Sequence, residues 1–126
     1  MNLAKERVKI IGWEQEFPII LLKEIEEQTV ETTNLLWDEV EHLANNKPFY
    51  LIADLSESAP PKFEVRSLAK DRYIKIERAI LFTYIYVGDK ILLWIAVKFI
   101  ASALRTKKFK QIKSIPAGLE MIKNKT

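Results

Sequence analysis

The spacing of apolar and polar residues along the chain changes repeatedly between a period of two and a period near 3.6, which predicts strands alternating with helices. Residues 5–12 partly alternate and predict a first strand, and the apolar centre of residues 17–25 predicts a second strand that forms a hairpin with it. Residues 49–53 and 79–87 are nearly unbroken apolar runs, typical of central strands covered on both faces. Residues 109–115 alternate again and predict a short edge strand.

Four other segments carry apolar residues at helical spacing. They are residues 31–45, 61–75, 90–106 and 116–125. One of Thr29, Thr32 and Thr33 is expected to cap the first of these helices, and residues 45–48 (NNKP) to end it. The resulting order β-β-α-β-α-β-α-β-α predicts the α/β class, with a mostly parallel, mixed central sheet of about five strands, an N-terminal hairpin and about four helices.

Length and composition predict a single domain that spans residues 1–126. The chain has 126 residues with 48% hydrophobic content, enough for a proper core, and it contains no repeat. It has no cysteine, which excludes disulfides and thiolate chemistry and fits a reducing compartment. The first residues carry scattered charges and no apolar leader run, so a cytoplasmic location is expected.

Charge is distributed unevenly along the chain. Residues 1–87 carry eleven Lys/Arg against fifteen Asp/Glu, a net charge of −4, whereas residues 88–126 carry nine against two, a net charge of +7. The plain interpretation is a solvated basic edge. The alternative is a surface that meets an anionic membrane or an acidic partner.

No catalytic, cofactor or metal constellation can be assembled from the sequence, so a non-enzymatic protein is predicted. His42 is the only histidine and falls on the charged face of a predicted helix. The three glycines are isolated, which excludes a phosphate-cradling loop. Phe109 is the only aromatic residue in the basic tail from residue 105 onwards, and no binding module accompanies it, so no nucleic-acid partner is expected.

Asp54 is the acidic residue with the most suggestive position. It follows a predicted central parallel strand, at the edge where open α/β sheets place their ligand crevices. The competing interpretation, which we favour, is an Asp that caps the next loop through Asx-type hydrogen bonds.

The segment Ile91–Leu104 is apolar nearly all round at its start, although it is too short to span a membrane. A helix on one face of a sheet needs only an apolar stripe, so the surplus must be covered. The candidates are the rest of the domain, a second copy of the chain, a hydrophobic ligand or a membrane surface. The contact residues predicted for this helix are Leu93, Trp94, Val97 and Ile100. The basic flank beyond it consists of Arg105, Lys107, Lys108, Lys110 and Lys113.

Residues 47–72, KPFYLIADLSESAPPKFEVRSLAKDR, resemble the STAS domain of anti-sigma-factor antagonists and its SpoIIAA-like (STAS/SEC14-like) relatives. An Asn-Lys-Pro turn at 46–48 leads into an apolar strand that ends in Asp54-Leu55, and a variable loop precedes the next helix. The later elements extend the resemblance over nearly the whole chain. It implies a SpoIIAA-like fold and a module for protein interaction.

One departure from that family bears on regulation. Regulatory members carry a phosphorylatable serine where the second helix starts, but Pro61, Lys62, Phe63 and Glu64 occupy that stretch here. The resemblance therefore implies an interaction module that lacks the usual phosphoacceptor. The predicted interaction loop consists of Asp54, Ser56, Ser58 and Lys62. A protein partner or a second copy is the expected ligand, and the alternative is a lipid or membrane surface bound by residues 91–104 and their basic flank.

Overall fold

The computed structural model describes residues 2–104 and 107–124, without the side chains of residues 96, 99, 100, 103 and 104. In this part of the chain five strands lie side by side in chain order and form one mixed sheet. They are β1 (Val8–Glu14), β2 (Phe17–Lys23), β3 (Phe49–Asp54), β4 (Ile80–Tyr86) and β5 (Phe109–Gln111). β1 and β2 form an antiparallel hairpin, and β2, β3, β4 and β5 run parallel to one another. The predicted class, hairpin and parallel order are confirmed.

Five α-helices surround the sheet in the described ranges. They are α1 (Leu3–Arg7), α2 (Val30–Ala44), α3 (Phe63–Ile76), α4 (Ile91–Leu104) and α5 (Ile115–Lys123), and a 3₁₀ turn, Glu77–Ala79, follows α3. Thr29 caps α2 as expected, because its hydroxyl accepts the N–H of Thr32 at 3.1 Å while Thr32 Oγ1 accepts the N–H of Thr29 at 2.9 Å. The helix ends at Asn45, whose φ of 51° is left-handed.

The alternation of side chains along the strands divides the core between the two faces of the sheet. On one face, Leu22, Leu51 and their neighbours pack against α1 and α2, and Ile85 packs against Leu93 of α4. On the other face, Ile52 and Tyr84 pack against α5. In the described ranges, four helices therefore lie on one side of the sheet and α5 lies on the other.

Two predicted boundaries are wrong. The first strand was expected to start at residue 5, but Leu3–Arg7 forms α1, which Asn2 caps by accepting the N–H of Lys5 at 3.3 Å. Burial of Ala4 in the core favours this turn of helix over an extended chain. The last strand was expected to reach Ile115 but ends at Gln111, because Ser114 accepts the N–H of Ala117 at 3.1 Å and starts α5.

Candidate functional site

A cavity of about 180 Å³ lies between the sheet and the helices α3 and α4, and we call it the α4 cavity. Its floor consists of side chains from three neighbouring parallel strands: Leu22, Leu51, Ala53, Thr83 and Ile85. It reaches the carboxyl ends of β2 and β3, where open α/β sheets hold their ligands. The cavity therefore combines an apolar floor with the usual location of a binding crevice.

Helices supply the walls of the α4 cavity. α3 contributes Ala69 and Tyr73, whereas α4 contributes Leu93, Val97 and Ala101. The small side chains of Ala69 and Ala101, with Ala53 on the floor, leave the space that larger residues would fill. The cavity is thus a product of residue size at three positions.

Arg72 holds α3 beside the cavity. Its guanidinium donates to Asn34 at 2.9 Å, to Asp38 at 2.7 Å and to Glu41 at 2.6 Å, and all three residues lie on α2. Because the arginine side chain is only 13% exposed, these charge-assisted bonds are partly shielded from water. They fix the position of the helix that forms one wall.

Four of the polar side chains on the cavity wall are paired with each other or with the backbone. The hydroxyls of Tyr73 and Thr83 hydrogen-bond to each other at 2.9 Å. Gln28 donates to the hydroxyl of Ser58, which in turn donates to the carbonyl of Ala59 at 3.0 Å. The indole Nε1 of Trp37, in contrast, has no hydrogen-bond partner within the described ranges.

Glu24 is the acidic group of the cavity wall. It follows the last residue of β2 and is only 6% exposed. Burial raises the pKa of its carboxyl to about 6, although the N–H of Ile25 and the charge of Arg7 act in the opposite direction. The site thus contains one buried carboxyl beside a mostly apolar floor, and the exposed cations Arg66 and Lys70 of α3 also line the cavity.

Asp54 has a structural role in the next loop. Its Oδ1 accepts the N–H of Ser56 at 3.0 Å and the hydroxyl of Ser56 at 2.6 Å, which is the Asx-type arrangement that we favoured from the sequence. Ser58 is 1% exposed, and the ammonium group of Lys90 donates to its carbonyl at 2.8 Å. Among the four residues predicted as an interaction loop, Lys62 is exposed and Ser56 is half-buried.

The four residues predicted on α4 fall into different environments. Leu93 is buried against the sheet, Val97 is half-buried at the cavity, and Trp94 lies against Phe109 with ring centroids 5.8 Å apart. The side chain of Ile100 lies outside the described residues.

The opposite side of α4 is exposed and apolar. Ile91, Leu92 and Ile95 are 69%, 75% and 56% exposed, and their spacing places them on one side of the helix. We call these three residues the outer row of α4. The rest of the described chain therefore leaves this part of the apolar surplus uncovered.

Neither a cluster of metal-ligating side chains nor a helix that could cross a bilayer is present among residues 2–104 and 107–124. No group of three or more His, Cys, Asp or Glu side chains in these ranges is arranged to hold a metal ion. No helix there has the length and apolar character needed to cross a bilayer.

Sequence reasoning missed several residues of the cavity, above all Glu24, Gln28 and Trp37. A signal for Glu24 was present, because period-two spacing places it on the same face as Ile20 and Leu22. Its neighbours Glu26 and Glu27 are exposed, and a run of acids at the end of a strand is typical of a solvated turn. Burial of one acid in that run depends on the helices packed above it.

The fold is similar to that of the crystal structure of an uncharacterized DUF3478-family protein with a SpoIIAA-like fold from Shewanella loihica. The TM-score is 0.72 and the sequence identity is 13%, with 91% of each chain covered. No protein-family model matches the sequence, and no curated protein matches it either. The predicted STAS/SpoIIAA-like fold is therefore confirmed, and at this identity the similarity concerns the fold alone.

Proposed function

We propose that the protein is a non-catalytic STAS-like binding module whose ligand is a small, largely apolar molecule held in the α4 cavity. The observation that carries the proposal is the cavity itself, a space of about 180 Å³ with an apolar floor at the carboxyl ends of parallel strands. Protein interiors are otherwise packed about as densely as organic crystals. A space of about 180 Å³ beside the packed sheet is large enough to admit a small ligand.

The volume limits the size of the ligand. An engineered apolar cavity of about 150 Å³ is known to stay dry and to bind benzene. The α4 cavity is slightly larger, so it suits a molecule of benzene size or a short aliphatic chain. Such a ligand would gain free energy mainly by leaving water for the apolar walls.

Titration with benzene tests the proposal directly. We expect saturable changes in the NMR amide resonances of Ala53, Ala69 and Leu93, together with a rise in melting temperature as benzene is added. The variant Ala69→Leu places a larger side chain on the cavity wall and should weaken binding. Ala117→Leu is the matched control, because Ala117 lies on α5 at the opposite face of the sheet. Absence of saturable shifts in the wild-type protein, both with benzene and with small ligands that carry a six-carbon chain, would refute the proposal.

A second candidate function, interaction with a protein partner or a second copy, is favoured by the outer row of α4. Its three side chains form an apolar strip of exposed residues on α4. Contiguous apolar side chains on a surface commonly mark an interface. Lys62 of the predicted interaction loop is exposed as well.

Two measurements separate the partners of the outer row. Light scattering during size exclusion should show a concentration-dependent dimer if a second copy covers the row, and Leu92→Ser should abolish that dimer. Salt-sensitive sedimentation with anionic vesicles would instead support a membrane surface, with Lys107, Lys108 and Lys110 as its basic contacts. If the protein stays monomeric and does not sediment with vesicles, a different protein remains as the partner of this surface.

A further inference from the structure

Glu24 occupies an unusual position for a carboxylate. It continues the face of β2 that carries Ile20 and Leu22, and like them it points towards the core side of the sheet. With an exposure of 6% it is more than nine-tenths buried, yet it lines a space of about 180 Å³. Buried carboxylates are costly unless several hydrogen bonds or a cation compensate for the lost water.

The hydrogen bonds of Glu24 are incomplete. Within the described ranges its carboxylate accepts one hydrogen bond, from the N–H of the adjacent Ile25 at 3.4 Å, and it forms no salt bridge. The nearby Arg7 is directed at Glu57, at 3.4 Å. An ionised carboxylate has about four acceptor positions, so most of those on Glu24 are unused.

Gln28 and Ser58, two polar residues that line the cavity with Glu24, have their hydrogen bonds occupied elsewhere. Gln28 donates to Ser58 and to the carbonyl of Ala59, and Ser58 also donates to that carbonyl. These bonds tie the loop after β2 to the loop after β3. Glu24 therefore remains the group of this polar cluster with free capacity to accept a donor from inside the cavity.

We propose that Glu24 determines the ligand class of the α4 cavity by accepting hydrogen bonds from the ligand's polar head, which selects small aliphatic or aromatic amines and alcohols over carboxylates. This inference rests on the proposed function, because it presupposes a ligand in the cavity. An ammonium head donates a charge-assisted hydrogen bond to the buried carboxylate, and a hydroxyl head donates a neutral one. A carboxylate head places a second negative charge beside the first and is rejected.

Three probes with the same six-carbon tail test the selection: hexylamine, hexan-1-ol and hexanoate. Each is titrated separately at pH 7.5 and followed by NMR. Benzene serves as a probe without a polar head. Wild-type protein should bind hexylamine most tightly and hexanoate most weakly, with about a tenfold difference or more between them. In Glu24→Gln the difference should shrink to about threefold or less. Glu26→Gln is the matched control, because Glu26 is exposed two residues away and should keep the wild-type ranking.

Each result supports or overturns the inference. Equal binding of the three heads by wild-type protein overturns the role of Glu24 while leaving the cavity as a binding site. An unchanged ranking in Glu24→Gln does the same. If neither benzene nor any hexyl probe binds, the proposed function fails and the inference fails with it. The wild-type ranking is decisive even if Glu24→Gln does not fold.

Discussion

The backbone N–H of Glu24 donates to the carbonyl oxygen of Asp54 at 2.9 Å, which places two buried acids side by side at the ends of β2 and β3. Their side chains have different surroundings. The carboxylate of Asp54 accepts two hydrogen bonds from Ser56, which compensate for its burial. The carboxylate of Glu24 lines the α4 cavity and accepts one long hydrogen bond. The first acid builds a loop, and the second remains available to a ligand.

The buried carboxyl of Glu24 should make stability depend on pH between about 4.5 and 6. Burial raises its pKa from 4.5 to about 6, so the folded chain holds this proton more tightly than the unfolded chain does. The contribution of Glu24 to stability is therefore fully present below pH 4.5, falls as the pH rises to about 6, and is level above that. The expected loss is about 2 kcal/mol.

This loss can be isolated by comparing urea denaturation of wild-type protein and Glu24→Gln across that pH range. The difference in free energy of unfolding between the two proteins should change by the stated amount. The same comparison with Glu26→Gln should stay level, because Glu26 is exposed. A level difference for Glu24→Gln would show that its carboxyl titrates normally in the folded state.

The turn between Asp54 and Ser56 should contribute measurably to stability. Ser56→Ala removes the 2.6 Å hydroxyl–carboxylate bond and should cost about 1–2 kcal/mol. Asp54→Ala removes both bonds and should cost about 2–4 kcal/mol. In a double-mutant cycle, Ser56→Ala should add little once Asp54 is gone. Full additivity would argue against a direct bond, and the exposed Ser67→Ala is the control.

Leu92 and Leu93 offer a matched pair on α4, since they are the same residue type in adjacent positions. Leu93 is 4% exposed, so Leu93→Ala should lower the free energy of unfolding by about 2–4 kcal/mol. Leu92 is 75% exposed, so Leu92→Ala should change it by about 0.5 kcal/mol or less. Chemical denaturation of dilute protein measures both values. Similar losses for the two variants would mean that Leu92 and Leu93 are buried to a similar extent in solution.

The Arg72 cluster should stabilise α3 against α2. Arg72→Ala leaves Asp38 and Glu41 without their guanidinium partner and should cost about 1–3 kcal/mol. Arg72→Lys should recover only part of this, because an ammonium cannot reproduce the planar fork that reaches several acceptors. Arg78→Ala is the matched control on the exposed surface after α3. Thermal denaturation gives the melting temperature of each of the three variants. Equal melting temperatures would disprove the role of the cluster.

The sequence by itself determined the order of strands and helices from β1 onwards, although not α1, because each of those elements carries its own periodicity. Strands β3 and β4 are apolar runs that must be covered on both faces, and the Thr29 cap and Asn45 terminus of α2 are local hydrogen-bonding devices. The Asx turn at Asp54 is local in the same sense, since its partner is two residues away. Such features could be predicted without knowing what packs against them.

Only the tertiary structure decided which residues share the α4 cavity. Its walls join Glu24 of the loop after β2 with Ala69 of α3 and Ala101 of α4, and no sequence period links positions so far apart. Burial of Glu24 depends on the helices packed over the sheet, whereas its sequence neighbourhood is that of a charged turn. The division of α4 into a buried Leu93 and an exposed Leu92 likewise depends on how the helix lies on the sheet, because its start is apolar all round.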